Sequence, residues 1–292
     1  MSTSFKRLIR AEWGRWFNKT STFVCFFIII LISIASALAS LSSVSRYLQY
    51  QEIAHLSYAN ITSFSSVTQF LLIDDSRWTN LYLILLPFLV LVPMCHSLLL
   101  EAKSAYVEQV YTRINPKDQL KAKLVVNTAI VLFMTIAPLV LNFVALSCVW
   151  PYFRPLLDNS LAVNVRSMNC LAALFYAKPI LYLIIMSVMH IFALVIWSNI
   201  VLLCSTLFRK SYEVVLVPGI LALLLLNVID VADLKLPVFI ITLIDPLNPA
   251  NISMPLNVLS LVVYAMFTCL LYCYQLRRLR RRGFFLVNTK DH

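Results

Sequence analysis

Glycine is scarce in this sequence, and its scarcity excludes the common nucleotide-binding loops. Only Gly14, Gly219 and Gly283 occur among 292 residues. A phosphate-cradling GxxxxGK[ST] loop and a dinucleotide-binding GxGxxG turn both need closely spaced glycines. The HExxH, CxxC and GxSxG patterns are also absent from the sequence. We therefore expect that the chain is not an enzyme in its own right and that it holds no cofactor.

Charge is the second thing that the chain has little of. Charged residues make up 13% and hydrophobic residues 61% of the sequence, whereas soluble domains carry about 25% charged residues. The apolar runs between the charge clusters predict an all-α polytopic membrane protein with six transmembrane helices, because backbone groups in lipid must find partners within their own segment. The predicted spans are about 23–41, 78–100, 124–149, 179–208, 214–229 and 255–276.

The distribution of basic residues predicts the side of the membrane that each connection faces. The N-terminus, residues 101–123, the Arg209-Lys210 turn and the C-terminus hold 18 of the 24 Lys and Arg residues. Basic residues accumulate on the cytoplasmic side of membrane proteins. We therefore predict a bacterial inner-membrane protein with both termini in the cytoplasm and with 277–292 as a basic tail. This explanation of the charge leaves no need for a nucleic-acid partner.

Residues 1–20 predict an amphipathic elbow helix before the first span. Leu8, Trp13 and Trp16 recur on its apolar face, and basic residues occupy the other face. Such a helix lies in the membrane interface, with its tryptophans at headgroup depth and its cations near anionic lipid. Two roles stay open for it, a plain membrane anchor and a moving element of a transporter.

A re-entrant outer segment is predicted before the sixth span. The apolar stretch 236–244 is only about 13 Å long as a helix, so it is too short to cross. It dips into the outer leaflet and returns, or it lies on the surface as a helix. The fifth span is also short. The proline and the glycine of the fifth span, together with two prolines of the outer segment, make a candidate gate of Pro218, Gly219, Pro237 and Pro246.

Cysteine and histidine offer little chemistry in this pattern. Cys148 and Cys170 fall near the outer face, where they form a disulfide if the compartment is oxidising and the geometry fits. His190, with Met186 and Met189, has the side chains of a soft-metal site, but this spacing is more typical of helix packing. We predict no metal site.

The order of these elements resembles the membrane subunit of type-2 ABC exporters. In that family an elbow helix precedes six spans, a helical cytoplasmic loop follows the second span, and a re-entrant outer segment precedes the sixth. Glu101, Pro116 and Lys121 or Lys123 match the pattern of the family's loop, whereas its Gly-Thr is replaced here by Ala105-Tyr106.

The resemblance implies a permease that forms a translocation path and is driven by two separate ABC ATPase subunits, which bind the ATP and Mg. It also implies a second permease copy, identical or similar, contact with membrane lipid and an amphipathic cargo such as a peptide, lipid or drug. A non-ABC membrane transporter and a membrane-anchored immunity or accessory protein are the alternatives.

On this model, the loop from Glu101 to Lys123 contacts the ATPase. We predict two short helices with a corner at Asn115-Pro116. Its tyrosines would enter a groove on the ATPase or, alternatively, pack at the headgroup boundary. Glu101 would pair with cations of the ATPase or of the elbow helix, as would Glu108. The candidate coupling residues are Glu101, Tyr106, Glu108, Val110, Tyr111, Pro116 and Lys121.

Overall fold

The described part of the chain is built from α-helices, with no β-strand in it. The computed structural model describes residues 3–17, 19–54, 65–74, 76–103, 115–150, 152–155, 165, 169–231, 243 and 253–282. The helices in chain order are α1 (Thr3–Phe17), α2 (Thr20–Ala54), α3 (Arg77–Leu89), α4 (Ser97–Lys103), α5 (Pro116–Val149), α6 (Ala172–Ala177), α7 (Pro179–Cys204), α8 (Glu213–Val231) and α9 (Met254–Arg282), with a 3₁₀ turn at Ser205–Leu207 between α7 and α8.

Four of the described helices are long and apolar enough to cross a membrane. Their apolar segments are Thr20–Leu41, Lys117–Val149, Pro179–Leu207 and Met254–Arg278, which overlap the first, third, fourth and sixth predicted spans. Large apolar side chains cover their outer faces; Leu270, for example, is 66% exposed. Outward apolar faces are those of helices that contact lipid. The prediction of an all-helical, multi-pass membrane protein is confirmed at this level.

The predicted second span is interrupted rather than continuous. Helix α3 ends at Leu89, turns occupy 90–96, and α4 begins at Ser97. Pro93 stands within the turns, where it has no N–H to continue a helix. The turns are buried by the surrounding helices, and non-helical backbone at membrane depth is tolerated only where protein or water covers it. Sequence hydropathy alone did not distinguish this broken element from a full helix.

The predicted fifth span lies in α8, and its apolar part is short. Among the described residues this part covers Glu213–Leu225, which is about 20 Å of helix. Pro218 lies inside α8. The re-entrant segment predicted at 230–255 lies almost wholly outside the described residues, except that Leu243 is buried.

Helices α2 and α5 run in the same direction along the bundle. The rings of Phe26 and Phe133 stack with their centroids 4.7 Å apart. Further along, the side-chain amide of Asn142 donates to the carbonyl of Ser33 at 3.1 Å. Further still, the indole N–H of Trp150 donates to the hydroxyl of Ser40 at 3.3 Å. Because both residue numbers rise together, the helices are parallel. The chain between them must therefore return along the bundle.

Helices α7 and α9 are parallel as well. Near the start of α9, Asn257 donates to the sulfur of Cys170, just ahead of α6 and α7, at 3.7 Å. Near the other end, Gln275 of α9 donates to the carbonyl of Leu203 of α7 at 2.7 Å. The chain that joins these two helices must also return between them.

Residues 65–73 lie between the first two predicted spans, yet they pack into the bundle. Val67, Leu71 and Ile73 are fully buried, and the backbone N–H of Leu71 donates to Oδ1 of Asn142 at 3.1 Å. Asn142 lies about 10 Å before the end of α5. This short segment therefore enters the bundle from the end opposite to α1.

Candidate functional site

Within the described residues, the buried charges gather where α1, α4 and α5 meet. Lys123 of α5 is completely buried, and its Nζ lies 2.7 Å from Oε1 of Glu101 and 3.3 Å from Oε2 of Glu12. Both carboxylates are also buried. The ammonium group of Lys123 therefore joins α1, the elbow helix, to α4, the second half of the interrupted span.

Two further side chains also bind Glu101. Arg15 of α1 reaches Oε1 of Glu101 at 2.7 Å, and Nε2 of Gln119 donates to Oε2 at 3.2 Å. Both carboxylate oxygens are thus bound. We call Glu12, Arg15, Glu101, Gln119 and Lys123 the ion cluster. Glu101 was predicted to pair with cations of the ATPase or of the elbow helix, and here it pairs with Arg15 of the elbow helix.

Local sequence explains how α5 presents its part of the ion cluster. Asn115 caps the helix by accepting from the backbone N–H of Lys117 at 3.0 Å, and Pro116 occupies the first turn, where no N–H is needed. Gln119 and Lys123 are then four residues apart, so they lie on one face. Asn127 follows at the same spacing and extends the polar face deeper into the bundle.

Trp16 is the apolar centre of the ion cluster. It is 1% exposed, its indole N–H donates to Glu12 at 3.0 Å, and the Nζ of Lys19 lies 3.8 Å from its ring. The depth of Trp16 in the membrane interface stays a prediction, but its ring packs on protein. Periodicity identified its face of α1 but not the surface against which it packs. Leu8 and Trp13 are only partly buried.

A second polar layer lies one helical turn deeper. Asn127 donates to the hydroxyl of Ser198 at 2.9 Å and to Oδ1 of Asn199 at 3.0 Å, and Asn199 donates to Thr128 at 3.0 Å. The thiol of Cys95, in the interrupted element, lies 3.4 Å from the Ser198 hydroxyl. These amide and hydroxyl bonds hold α5, α7 and the turns of the second span together.

His190 is a packing group in this structure. Its Nε2 lies 3.4 Å from the Tyr82 hydroxyl, and the two rings stack with centroids 6.0 Å apart. Both residues are fully buried. The described residues contain no group of three His, Cys, Asp or Glu side chains that would hold a metal ion.

The predicted coupling residues fall partly outside the described structure. Tyr106, Glu108, Val110 and Tyr111 lie outside the described residues. Pro116 starts α5, which continues unbroken to Val149. The prediction of two short helices is corrected here, because the second of them is the first part of the spanning helix. Lys121 is exposed on that part.

The candidate gate has one close contact. Gly219 of α8 packs so tightly on α3 that an added Cβ would lie 2.2 Å from the ring of Phe88. Pro218 lies beside it within α8, whereas Pro237 and Pro246 lie outside the described residues. Glycine is needed at this position for the close approach of the two helices.

Gly219→Ala is expected to destabilise the protein by about 1–3 kcal/mol, because the new methyl group must displace the Phe88 ring. Thermal unfolding of the purified protein in detergent measures the effect. Gly14→Ala is the matched control, since an added Cβ there meets nothing within 4 Å and alanine favours the helix by about 0.5–1 kcal/mol. Equal stability of the two variants would show that α3 and α8 do not pack closely.

The two cysteines near the predicted outer face are both free thiols. Cys148 is exposed, whereas Cys170 is buried and accepts the hydrogen bond from Asn257. The structure therefore contains no disulfide between them.

Comparisons with protein-family models, curated proteins and solved structures find no match to this chain.

Proposed function

We propose that this chain is the permease subunit of an ATP-driven ABC exporter, with six crossings and both termini in the cytoplasm of a bacterial inner membrane. Its partners are two ATPase subunits, which bind the ATP and Mg, a second permease copy, and membrane lipid. The cargo is amphipathic, such as a peptide, lipid or drug. The order of elements in the sequence is the basis of the proposed family assignment, and the ion cluster is the basis of the proposed coupling to the ATPase.

The two parallel helix pairs support six crossings. Since α2 and α5 point the same way, the interrupted element Arg77–Lys103 is the return crossing between them. Since α7 and α9 point the same way, α8 is the return crossing between them. The crossings 77–103 and 213–231 complete the six, although neither is a long uninterrupted apolar helix among the described residues.

Labelling with a membrane-impermeant maleimide tests this topology. Single cysteines at Gln51, Asn159 and Lys235 are expected to react from outside intact cells, and cysteines at Lys117, Lys210 and Lys290 only after the membrane is opened. The native cysteines are removed from these variants, and a separate variant that keeps only Cys148, which is exposed, is the reference for outside labelling. Labelling of Lys117 and Asn159 positions from the same side would overturn the six-crossing topology.

The ion cluster supports a mechanical connection to an external ATPase. The ends of the Glu101 to Lys123 loop are joined to each other by the 2.7 Å ion pair and to α1 by Glu12 and Arg15. A push on the loop therefore reaches α1, the interrupted second span and α5 together. Coupling between distant sites requires such contiguous packed elements.

The interrupted second span supports a transport role. Broken helices at membrane depth, buried by neighbours, are typical of transporters, in which the break absorbs the rearrangement. Here the break adjoins the polar layer through Cys95 and Ser198. The bundle can therefore rearrange at this break while the helices on either side of it stay intact.

Isolation of the tagged chain from its native membranes under ATP tests the assignment. Two copies each of the permease and of an ATPase subunit are expected, with hydrolysis that cargo stimulates. Transport by the purified chain without an ATPase would favour the non-ABC transporter. A complex without either activity would favour the immunity or accessory protein.

A further inference from the structure

A tight helix contact lies at the start of the turns that interrupt the second span. Phe88, in the last turn of α3, packs its ring on Gly219 of α8, where an added Cβ would lie 2.9 Å from Cγ of the ring. Each of these residues follows a proline, Pro87 in α3 and Pro218 in α8. Proline has no N–H, so each helix lacks one backbone hydrogen bond at this place. The two helices therefore touch where each of them bends most easily.

The turns themselves are held by weak or incomplete bonds. The N–H of Leu91 donates to the carbonyl of Phe88 at 3.0 Å, and the N–H of Cys95 donates to that of Leu91 at 3.1 Å. The thiol of Cys95 is a weak donor, and it lies 3.4 Å from the Ser198 hydroxyl. Ser97 is buried, and its hydroxyl has no hydrogen-bond partner among the described residues. Opening of the turns therefore costs less free energy than unfolding of the whole bundle.

The far end of the turns is attached to the ion cluster. The ring of His96 meets that of Trp16 edge-on, with centroids 5.4 Å apart. Directly after it, α4 carries Glu101 to the buried ammonium group of Lys123, 2.7 Å away. Breaking a buried ion pair is strongly destabilising. Movement at the turns is therefore expected on the side of α3, at its contact with α8.

We propose that residues 90–96 are a hinge, and that its opening lifts the Phe88 ring off Gly219 and exposes the thiol of Cys95. In the closed state the ring holds α8 against α3. Once the ring has left, α8 moves relative to α3, so the candidate gate at Pro218 and Gly219 opens at this contact. The hinge does not depend on the proposed transport function, because all of its parts lie within this chain.

Alkylation of the full-length protein in detergent with N-ethylmaleimide, followed by peptide mass spectrometry, tests the hinge without any substitution. Cys95 and Cys25 are both buried, with exposed fractions of 0% and 5%, but Cys25 lies on the unbroken helix α2. Cys95 is expected to react about tenfold faster than Cys25, since local opening needs less free energy than unfolding of a spanning helix. Static burial alone gives the opposite order. Equal rates, or a slower reaction of Cys95, would overturn the proposal.

A disulfide between positions 88 and 219 tests the contact with α8. Because an added Cβ at residue 219 lies 2.9 Å from Cγ of Phe88, the two Cβ atoms come within about 4.5 Å, where a disulfide closes. In Phe88→Cys combined with Gly219→Cys, oxidation is expected to slow alkylation of Cys95 about tenfold, because the hinge is then locked. Reduction, with the reductant removed before alkylation, is expected to restore the rate.

Phe88→Cys alone is the control for the disulfide, and its Cys95 rate is expected not to respond to the oxidant. Mass spectrometry confirms the disulfide, and thermal unfolding checks that each variant is folded. Alkylation of Cys95 at the same rate in the oxidised and reduced double variant would show that the hinge opens without moving the Phe88 position off α8, and this would overturn the proposal.

Discussion

Replacing Lys123 by Met is expected to lower the free energy of unfolding by about 3–5 kcal/mol, because two buried carboxylates then lose their shared cation. Lys123 is completely buried between Glu12 and Glu101. Met keeps the length of the side chain and its apolar stem but not the charge. Arg15 stays on Glu101, whereas Glu12 keeps the Trp16 indole as its one donor among the described residues. Unfolding in detergent, followed by near-ultraviolet circular dichroism of Trp16 and the other tryptophans, measures the loss.

Lys117→Met is the matched control, since Lys117 is exposed on the first turn of the same helix. Its effect is expected to stay within about 0.5 kcal/mol. Glu101→Gln combined with Lys123→Met is expected to cost less than the sum of the two single changes, because the residues share one interaction. A loss for Lys123→Met no larger than that of the control would mean that water reaches the carboxylates and that the ion cluster is not a buried joint.

The sequence predicted the helical membrane fold well because hydropathy depends only on local composition. Spans one, three, four and six are long runs without a helix break at membrane depth, apart from Pro138 inside α5. The second span was predicted as one helix because the residues around Pro93 are as apolar as those of a helix. In the structure the backbone turns there, and Cys95 of the turns packs against Ser198 of α7. Such a contact between distant parts of the chain cannot be read from local hydropathy.

The ion cluster could be predicted only in part. The loop pattern identified Glu101, Lys121 and Lys123 as candidate residues. The elbow helix was one of the two partners predicted for Glu101, the other being the ATPase. The role of Glu12 was missed. The signal was present, because Glu12 is the one acidic residue in the basic elbow helix. A single opposite charge in such a segment indicates an internal partner more than a surface one.

The last test concerns the loop between Glu101 and Lys123, whose ends the ion cluster joins. A rigid base of this kind transmits force only if the loop itself holds the ATPase, and buried tyrosines are frequent anchors at protein interfaces. Changing Tyr106 and Tyr111 together to Ala is therefore expected to abolish most ATPase binding. Anchors of about 2 kcal/mol each would weaken the complex on the order of 30-fold per residue.

Co-purification of the ATPase and cargo-stimulated hydrolysis in the reconstituted complex are the two measurements for this double change. Tyr212→Ala is the matched control, because Tyr212 is an exposed tyrosine in the other short connection at the same end of the bundle, 56% exposed, and is not placed in the coupling route. Binding and hydrolysis in this control are expected to stay near those of the unaltered complex. If the ATPase binds normally to the Tyr106 and Tyr111 variant but hydrolysis no longer responds to cargo, the tyrosines transmit force without supplying affinity. Unchanged values of both would take this loop out of the coupling route, and the ion cluster would then be a structural joint of the elbow helix alone.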